Sequence, residues 1–101
     1  MTTAADIKAI VAERCGVPVA RLDGPGRDAD TCLARAVAVM SVRDILGCST
    51  TWIGREFGGR DHSTVLHILR TKLPPAYARV HSEVVEHLSD VVPVFKSSRG
   101  G

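Results

Sequence analysis

Aromatic residues are scarce in this chain: two Phe, one Tyr and one Trp make up 4% of its 101 residues. The apolar fraction of 45% comes mainly from Ala, Val, Leu and Ile. This composition suits a compact helical bundle better than a β-sandwich or a disordered chain. The 101 residues allow one domain with one modest core and leave no room for a nucleotide-hydrolysing module beside it.

Long apolar runs are also missing, since none approaches the roughly 20 residues that span a bilayer. The chain does not open with a charged segment followed by an apolar one, as a secretory leader would. We therefore expect a soluble, cytoplasmic protein with no membrane partner.

The three cysteines, Cys15, Cys32 and Cys48, are odd in number and show no C-x-x-C spacing. Neither a disulfide framework nor a zinc site is indicated, and we expect small packing residues. A nucleophilic Cys paired with a histidine is the alternative, but no oxyanion hole or orienting group is indicated for it. Walker-type glycine loops and H-E-x-x-H motifs are absent as well. We expect no enzyme, no cofactor, no metal and no small-molecule substrate.

Apolar residues recur at helical spacing, with capping residues and glycines at the segment ends. The pattern predicts an all-α bundle over residues 1–93 and a disordered tail over 94–101. The predicted helices are 4–15, one turn after Pro18, 31–46, 50–57, a helix capped by Asp61 that ends before Pro74, and 75–92.

The apolar spacing predicts the core-facing side of two of these helices. The helix capped by Asp61 is expected to turn Val65, Leu66 and Leu69 toward the core. The last helix is expected to bury one apolar stripe, which consists of Val80, Val84, Leu88 and Val91. The helix over 31–46 is apolar over most of its circumference, which predicts the central position for it.

A short helix, a glycine turn and a second helix, preceded by a longer helix, form the plan of a helix-turn-helix. The first residues of the second helix would then enter the major groove. In this sequence the residues at that helix start are Asp61, His62, Ser63 and Thr64. Helix-terminal amides can bind a phosphate there, and Arg60 can reach the backbone. An ordinary cap, with His62 as a solvated surface residue, is the alternative, and the pattern leaves both open.

The string IGREFGGRDHSTVLH, residues 53–67, resembles the signature of domain IV, the carboxy-terminal DNA-binding domain of the bacterial replication initiator DnaA. That signature is Gly-Gly-Arg-Asp-His-Thr-Thr-Val followed by His. The string IKAIVAERCGVPVARLDG also resembles the start of that domain, so the resemblance covers about residues 6–88. It implies a helix-turn-helix bundle related to the Trp repressor, which binds double-stranded DNA sequence-specifically.

The resemblance also implies roles for individual residues. Asp61, His62 and Ser63 would contact bases in the major groove. Ser63 replaces the family's Thr, which keeps the hydroxyl and loses a methyl that could contact a thymine methyl. Contacts at or near the DNA backbone are implied for five residues, namely Arg43, Thr50, Thr51, Arg60 and Thr64.

An arginine of the loop before the long helix enters the minor groove in this family, and Arg27 occupies its position. The surrounding loop is strongly basic in the family, whereas here Asp28 and Asp30 flank the arginine, and Leu33 replaces a second one. These carboxylates would repel phosphates and could pair with Arg27 in the free protein. We expect weaker binding to a DnaA box and an altered preference at its A-T-rich end.

Basic residues exceed acidic ones in residues 31–72, with six against three, although the net charge of the chain is only +2. This excess favours DNA binding of modest affinity that is lost as salt rises. Because the family's ATP-dependent motor is absent, we expect a transcriptional regulator of phage or mobile-element descent, or the DNA-anchoring part of a longer protein, located at the nucleoid. The alternative is a degenerate copy that binds another protein through the acidic loop and Trp52.

Overall fold

A computed structural model of the chain describes residues 2–89. Six helices follow one another in this part: α1 (Ala4–Cys15), α2 (Val19–Asp23), α3 (Ala29–Leu46), α4 (Thr50–Glu56), α5 (His62–Leu69) and α6 (Pro75–Ser89). Residues 2–89 contain no strand, so the predicted all-α class is confirmed. None of the six helices is both long and apolar enough to cross a membrane. The predicted end of the last helix, the Val91 position and the tail over 94–101 lie outside the described residues.

The start of α1 shows how local polar groups fix a helix end. The Thr3 hydroxyl accepts the Asp6 N–H at 3.2 Å, and the Asp6 carboxylate accepts the Thr3 N–H at 3.1 Å. This reciprocal capping box satisfies two backbone donors that have no partner inside the helix. Helix α1 therefore begins at Ala4, as its sequence predicts.

Helix α3 begins at Ala29, so the predicted start at Thr31 is wrong by two residues. Asp28 is the reason, because its carboxylate accepts the Thr31 N–H at 3.1 Å and the Thr31 hydroxyl at 2.9 Å. The acidic residue thus acts as an N-cap. From this start α3 runs through the middle of the molecule and packs against α1, α2 and α6.

The core receives side chains from every helix. The fully buried apolar residues larger than alanine are Ile7, Val11, Leu22, Val37, Val39, Val42, Ile53, Phe57, Val65 and Val84. Leu66 departs from the prediction, since 39% of it is exposed. It follows the buried Val65 by one residue, which is about 100° around a helix, and the partly buried Ile68 and Leu69 complete the core face of α5 instead.

Polar contacts join α6 to α1 and α3. The Tyr77 hydroxyl donates to Asp30 Oδ1 at 3.1 Å, and His81 Nε2 lies 2.8 Å from Asp44 Oδ2, both on α3. Arg14 of α1 pairs with Glu83 at 3.0 Å. Helix α6 therefore braces α1 and α3, whereas α4 and α5 pack against each other on α3.

Candidate nucleic-acid interface

The connection between α4 and α5 is a tight turn that packs on α4 itself. The Arg60 N–H donates to the Gly54 carbonyl at 2.8 Å. A Cβ atom at Gly54 would overlap the Arg60 carbonyl oxygen, so this close approach requires glycine inside the helix. Gly54 therefore allows the turn to fold back onto its own helix.

Gly58 fixes the same turn against α2. Its φ of +83° lies in the left-handed region, and a Cβ atom there would overlap the Asp23 carbonyl oxygen. Both the conformation and the contact favour glycine. The turn is thus held between α4 and the end of α2, which defines the direction in which α5 leaves it.

Asp61 caps α5, with its carboxylate accepting the Thr64 N–H at 3.0 Å. Hydrogen bonding from the Thr64 side chain and backbone holds the pKa of the Asp61 carboxyl below its usual range. The cap that the sequence left as an alternative is therefore present. One carboxylate oxygen of Asp61 forms the cap. The other can accept a further hydrogen bond from outside the protein, because Asp61 is exposed.

The amino-terminal half of α5 presents a polar surface. His62, Ser63 and Thr64 are all exposed, whereas Val65 is fully buried and anchors the helix. Side chains three and four residues further along a helix lie on the same face. The exposed face that starts at His62 and Ser63 therefore continues through Leu66, His67 and Arg70.

The Arg60 side chain turns toward the protein. Its guanidinium donates to the carbonyls of Asp23 at 3.3 Å, Gly24 at 2.7 Å and Phe57. Burial, followed by the nearby Arg35 charge, lowers the pKa of Arg60, while Asp23 opposes that shift. A side chain so engaged has few donors left for a phosphate, so the geometry departs from the predicted backbone contact.

Arg35 has a comparable function that was missed at the sequence level. It is only 6% exposed, and its guanidinium donates to four carbonyls. These belong to Leu22 at 3.0 Å, Arg21 at 3.0 Å, Gly24 at 2.9 Å and Gly26 at 3.2 Å. An arginine on the most apolar helix was the available signal, because a buried charge needs partners.

Lys8 is the third cation at this place and is 7% exposed. Its Nζ lies 2.9 Å from Asp23 Oδ1, donates to the Glu56 carbonyl, and stands 4.6 Å from the Phe57 ring centre. We call the end of α2, Leu22–Gly24, together with Lys8, Arg35 and Arg60, the α2 hub. Two of the six basic residues of segment 31–72 belong to this hub, so the surface excess of positive charge is smaller than the sequence suggests.

The loop between α2 and α3 leaves Arg27 exposed. The predicted pairing with the flanking carboxylates is wrong: among residues 2–89 the cation near Asp28 is Arg21, at 3.7 Å, and Asp30 accepts from Tyr77. Hydrogen bonds from the Thr31 hydroxyl and N–H lower the pKa of the Asp28 carboxyl. Both acidic residues therefore have structural partners other than Arg27.

The remaining predicted backbone contacts cluster where α3 ends and α4 begins. Arg43 is exposed, and its Nη1 donates to the Cys48 carbonyl at 2.7 Å. Thr51 is exposed and Thr50 half-buried in the first turn of α4, which Ser49 caps by accepting the Trp52 N–H at 3.2 Å. The site residues thus occupy three places: this corner, the start of α5 and the Arg27 loop.

Cys15 and Cys48 are half-buried, whereas Cys32 is exposed and so departs from the expected packing role. Burial raises the pKa of the Cys15 and Cys48 thiols, which opposes formation of a nucleophilic thiolate. Within residues 2–89, no three His, Cys, Asp or Glu side chains lie close enough together to hold a metal ion.

Comparisons with known proteins agree with this geometry. A family model described as "Bacterial dnaA protein helix-turn-helix" matches residues 4–71. The chromosomal replication initiator protein DnaA of Mycoplasma capricolum is 41% identical over 64 residues, which cover 63% of this chain and 14% of that protein. The Streptococcus equi subsp. zooepidemicus protein of the same name is 47% identical over 62 residues, with 61% and 14% covered.

The Streptococcus uberis protein of that name extends the similarity further along the chain. It is 37% identical over 81 residues, which cover 80% of this chain and 16% of that protein. The chain therefore spans a small part of the length of these relatives. The resemblance on which the sequence analysis relied is confirmed.

Proposed function

The chain belongs to the family of bacterial DnaA helix-turn-helix domains, and from that membership we propose that it binds double-stranded DNA sequence-specifically, with α5 in the major groove. The observation that carries this proposal is the start of α5, where His62 and Ser63 are exposed on a helix whose preceding turn is held in place by Gly54 and Gly58. A rigid support of this kind presents side chains without further ordering on binding.

Base contacts come from the first turn of α5. The His62 ring and the Ser63 hydroxyl each offer donor and acceptor groups that match base edges in the major groove. The Asp61 oxygen outside the cap can accept a hydrogen bond from a cytosine amino group. The unpaired N–H groups at the helix start lie beside them and favour a nearby phosphate.

Backbone and minor-groove contacts position the reading helix. Arg43, Thr50 and Thr51 lie at the α3–α4 corner and bind phosphates of one strand. Arg27, exposed on the loop that the α2 hub holds, enters the adjacent minor groove, where A-T-rich sequence enhances the negative potential. Arg60 serves this interface by supporting the turn and the loop.

The biological role follows from what the chain contains. Residues 4–71 match the helix-turn-helix family, and we propose that this part binds DNA and catalyses no reaction. We propose that it regulates transcription, with descent from a phage or mobile element, or that it anchors a longer protein to DNA at the nucleoid.

A second candidate function is binding of a protein partner. Trp52 is 36% exposed and lines an open groove with Leu46 and Cys48, at the start of α4. A large aromatic side chain at the surface is typical of interaction sites. In this case the DnaA-like fold would be retained while DNA binding is lost.

A salt-titrated binding experiment decides between the two functions. The duplex carries the recognition box of the DnaA family, with a scrambled duplex of equal length as the control. Sequence-specific binding predicts at least ~10-fold tighter binding to the box or to a site selected from random duplexes, with affinity falling as salt rises. Equal binding to selected and scrambled DNA, or none, contradicts the proposal and favours the protein partner.

A further inference from the structure

Leu66 is a large apolar side chain in the middle of the polar face of α5. It follows Ser63 by three residues and His62 by four, so all three lie on one face of the helix. It is 39% exposed, and the two other large apolar residues exposed in residues 2–89, Val19 and Trp52, lie on other helices. Leu66 is thus the apolar member of the surface that presents His62 and Ser63.

Packing within the protein does not account for this side chain. Val65 anchors α5 in the core, and Ile68 and Leu69, three and four residues further along, pack against the core on the same side as Val65. Leu66 belongs neither to the buried cluster nor to the partly buried side chains around it. Its contribution to folding is therefore small, and a function on the surface of α5 has to be considered.

The direction of the side chain supports a role in DNA recognition. Side chains of a helix lean toward its amino end, so Leu66 covers surface near His62 and Ser63. The major groove displays hydrogen-bonding groups on every base and one apolar group, the 5-methyl of thymine. Ser63 lacks the methyl that its Thr counterpart would bring to such a contact.

We infer that Leu66 packs against a thymine 5-methyl group of the preferred site and thereby selects thymine over cytosine at that position. This inference rests on the proposed function, because it requires α5 to lie in the major groove. Removal of the methyl from that thymine is expected to weaken binding about fourfold, which corresponds to one buried methylene-sized group.

The test is a double-mutant cycle between the protein and the DNA. Each thymine of a site selected from random duplexes is replaced in turn by deoxyuridine, which removes only the methyl. The parent is expected to lose about fourfold at one or two thymines. Leu66→Ala is expected to bind thymine and deoxyuridine duplexes equally at those positions, while L66M retains the difference.

Val19→Ala is the matched control, since Val19 is also exposed and lies on α2. V19A is expected to keep the full deoxyuridine effect. If the preferred site contains no thymine whose methyl is coupled to Leu66, the inference is overturned. If His62→Ala still lowers the preference for that site in the same experiment, the proposed function stands. Failure of the parent to prefer any site overturns both.

Discussion

Arg60 and His62 are separated by one residue, yet their side chains have opposite surroundings. Arg60 donates to carbonyls of α2 and of the turn, whereas His62 is exposed at the start of α5. Both are polar members of one motif, and residue type alone does not distinguish them. The difference arises because the turn brings Arg60 to the end of α2. The hydrogen bond from Arg60 to the Gly24 carbonyl joins residues that are 36 positions apart in the chain.

His62→Ala is expected to cost about 1–3 kcal/mol in binding to the preferred site, because the imidazole is proposed to contact base edges there. The loss on scrambled DNA should be much smaller. Fluorescence anisotropy with both duplexes measures this. His87→Ala on α6 is the control, since His87 is exposed far from the motif in the chain. Equal losses on both duplexes would remove His62 from base recognition.

Arg43→Ala and Arg60→Ala should separate a phosphate contact from a structural one. R43A is expected to flatten the slope of log affinity against log salt by about one unit. R60A is expected to leave that slope unchanged and to lower the free energy of unfolding by about 2 kcal/mol, because carbonyls of the α2 hub lose their donor. Arg79→Ala on α6 controls for the lost charge. A flattened slope for R60A with unchanged stability would contradict the structural role.

Among the elements, α3 and α5 share the same kind of amino-terminal cap. Asp28 and Asp61 have lowered pKa values, in both cases from hydrogen bonds with the Thr three residues ahead. A carboxyl with a lowered folded-state pKa adds stability above its unfolded pKa and loses it as the pH falls through the folded value. The stabilisation of both helix starts by their caps is therefore lost in acid.

The double variant Asp28→Asn, Asp61→Asn tests this acid sensitivity. Asn retains the capping oxygen but does not titrate, so the melting temperature should fall less between pH ~7 and ~3 than it does for the parent. Thermal unfolding followed by circular dichroism gives the comparison. Glu86→Gln, which changes an exposed carboxyl within α6, is expected to behave like the parent. Identical acid dependence in all three proteins would show that the caps contribute nothing.

The loop before α3 has its own expected outcome. Asp28→Asn with Asp30→Asn keeps the cap and an acceptor for Tyr77 while removing two negative charges near the proposed DNA path. Binding should tighten, mostly at low salt, where surface charges are least screened. Arg27→Ala should weaken binding and relax the preference at the A-T-rich end alone. If neither change alters affinity, the loop lies off the DNA.

For the whole molecule, the sequence predicted what depends on local pattern. Helix order, the buried positions of Ile53 and Phe57 and the Asp61 cap all follow from spacing and end signals. The predicted start of α3 is wrong because the apolar pattern begins only at Thr31, whereas Asp28 caps the helix from three residues earlier. Leu66 was misplaced because periodicity over a short helix does not fix its rotation about the axis.

The α2 hub could not be predicted, because its contacts join residues far apart in the chain. Lys8, Arg35 and Arg60 come from α1, α3 and the turn before α5, and they converge on backbone carbonyls, which carry no residue-specific signal. For this reason the sequence-based prediction includes Arg60 among the basic side chains that contact DNA. The assignment of surface charge required the tertiary structure.

One carbonyl group of this hub, that of Gly24, accepts from both Arg35 and Arg60. The corner that leads to Arg27 and the turn that supports α5 are thus tied to one backbone carbonyl, and we expect the two segments to keep a fixed separation. The distance between the two proposed groove contacts, α5 in the major groove and Arg27 in the minor groove, is then fixed. One base pair inserted between the A-T-rich end and the rest of the site, about 3.4 Å of extra rise, should cost as much affinity as Arg27→Ala. The same insertion should cost the R27A protein almost nothing.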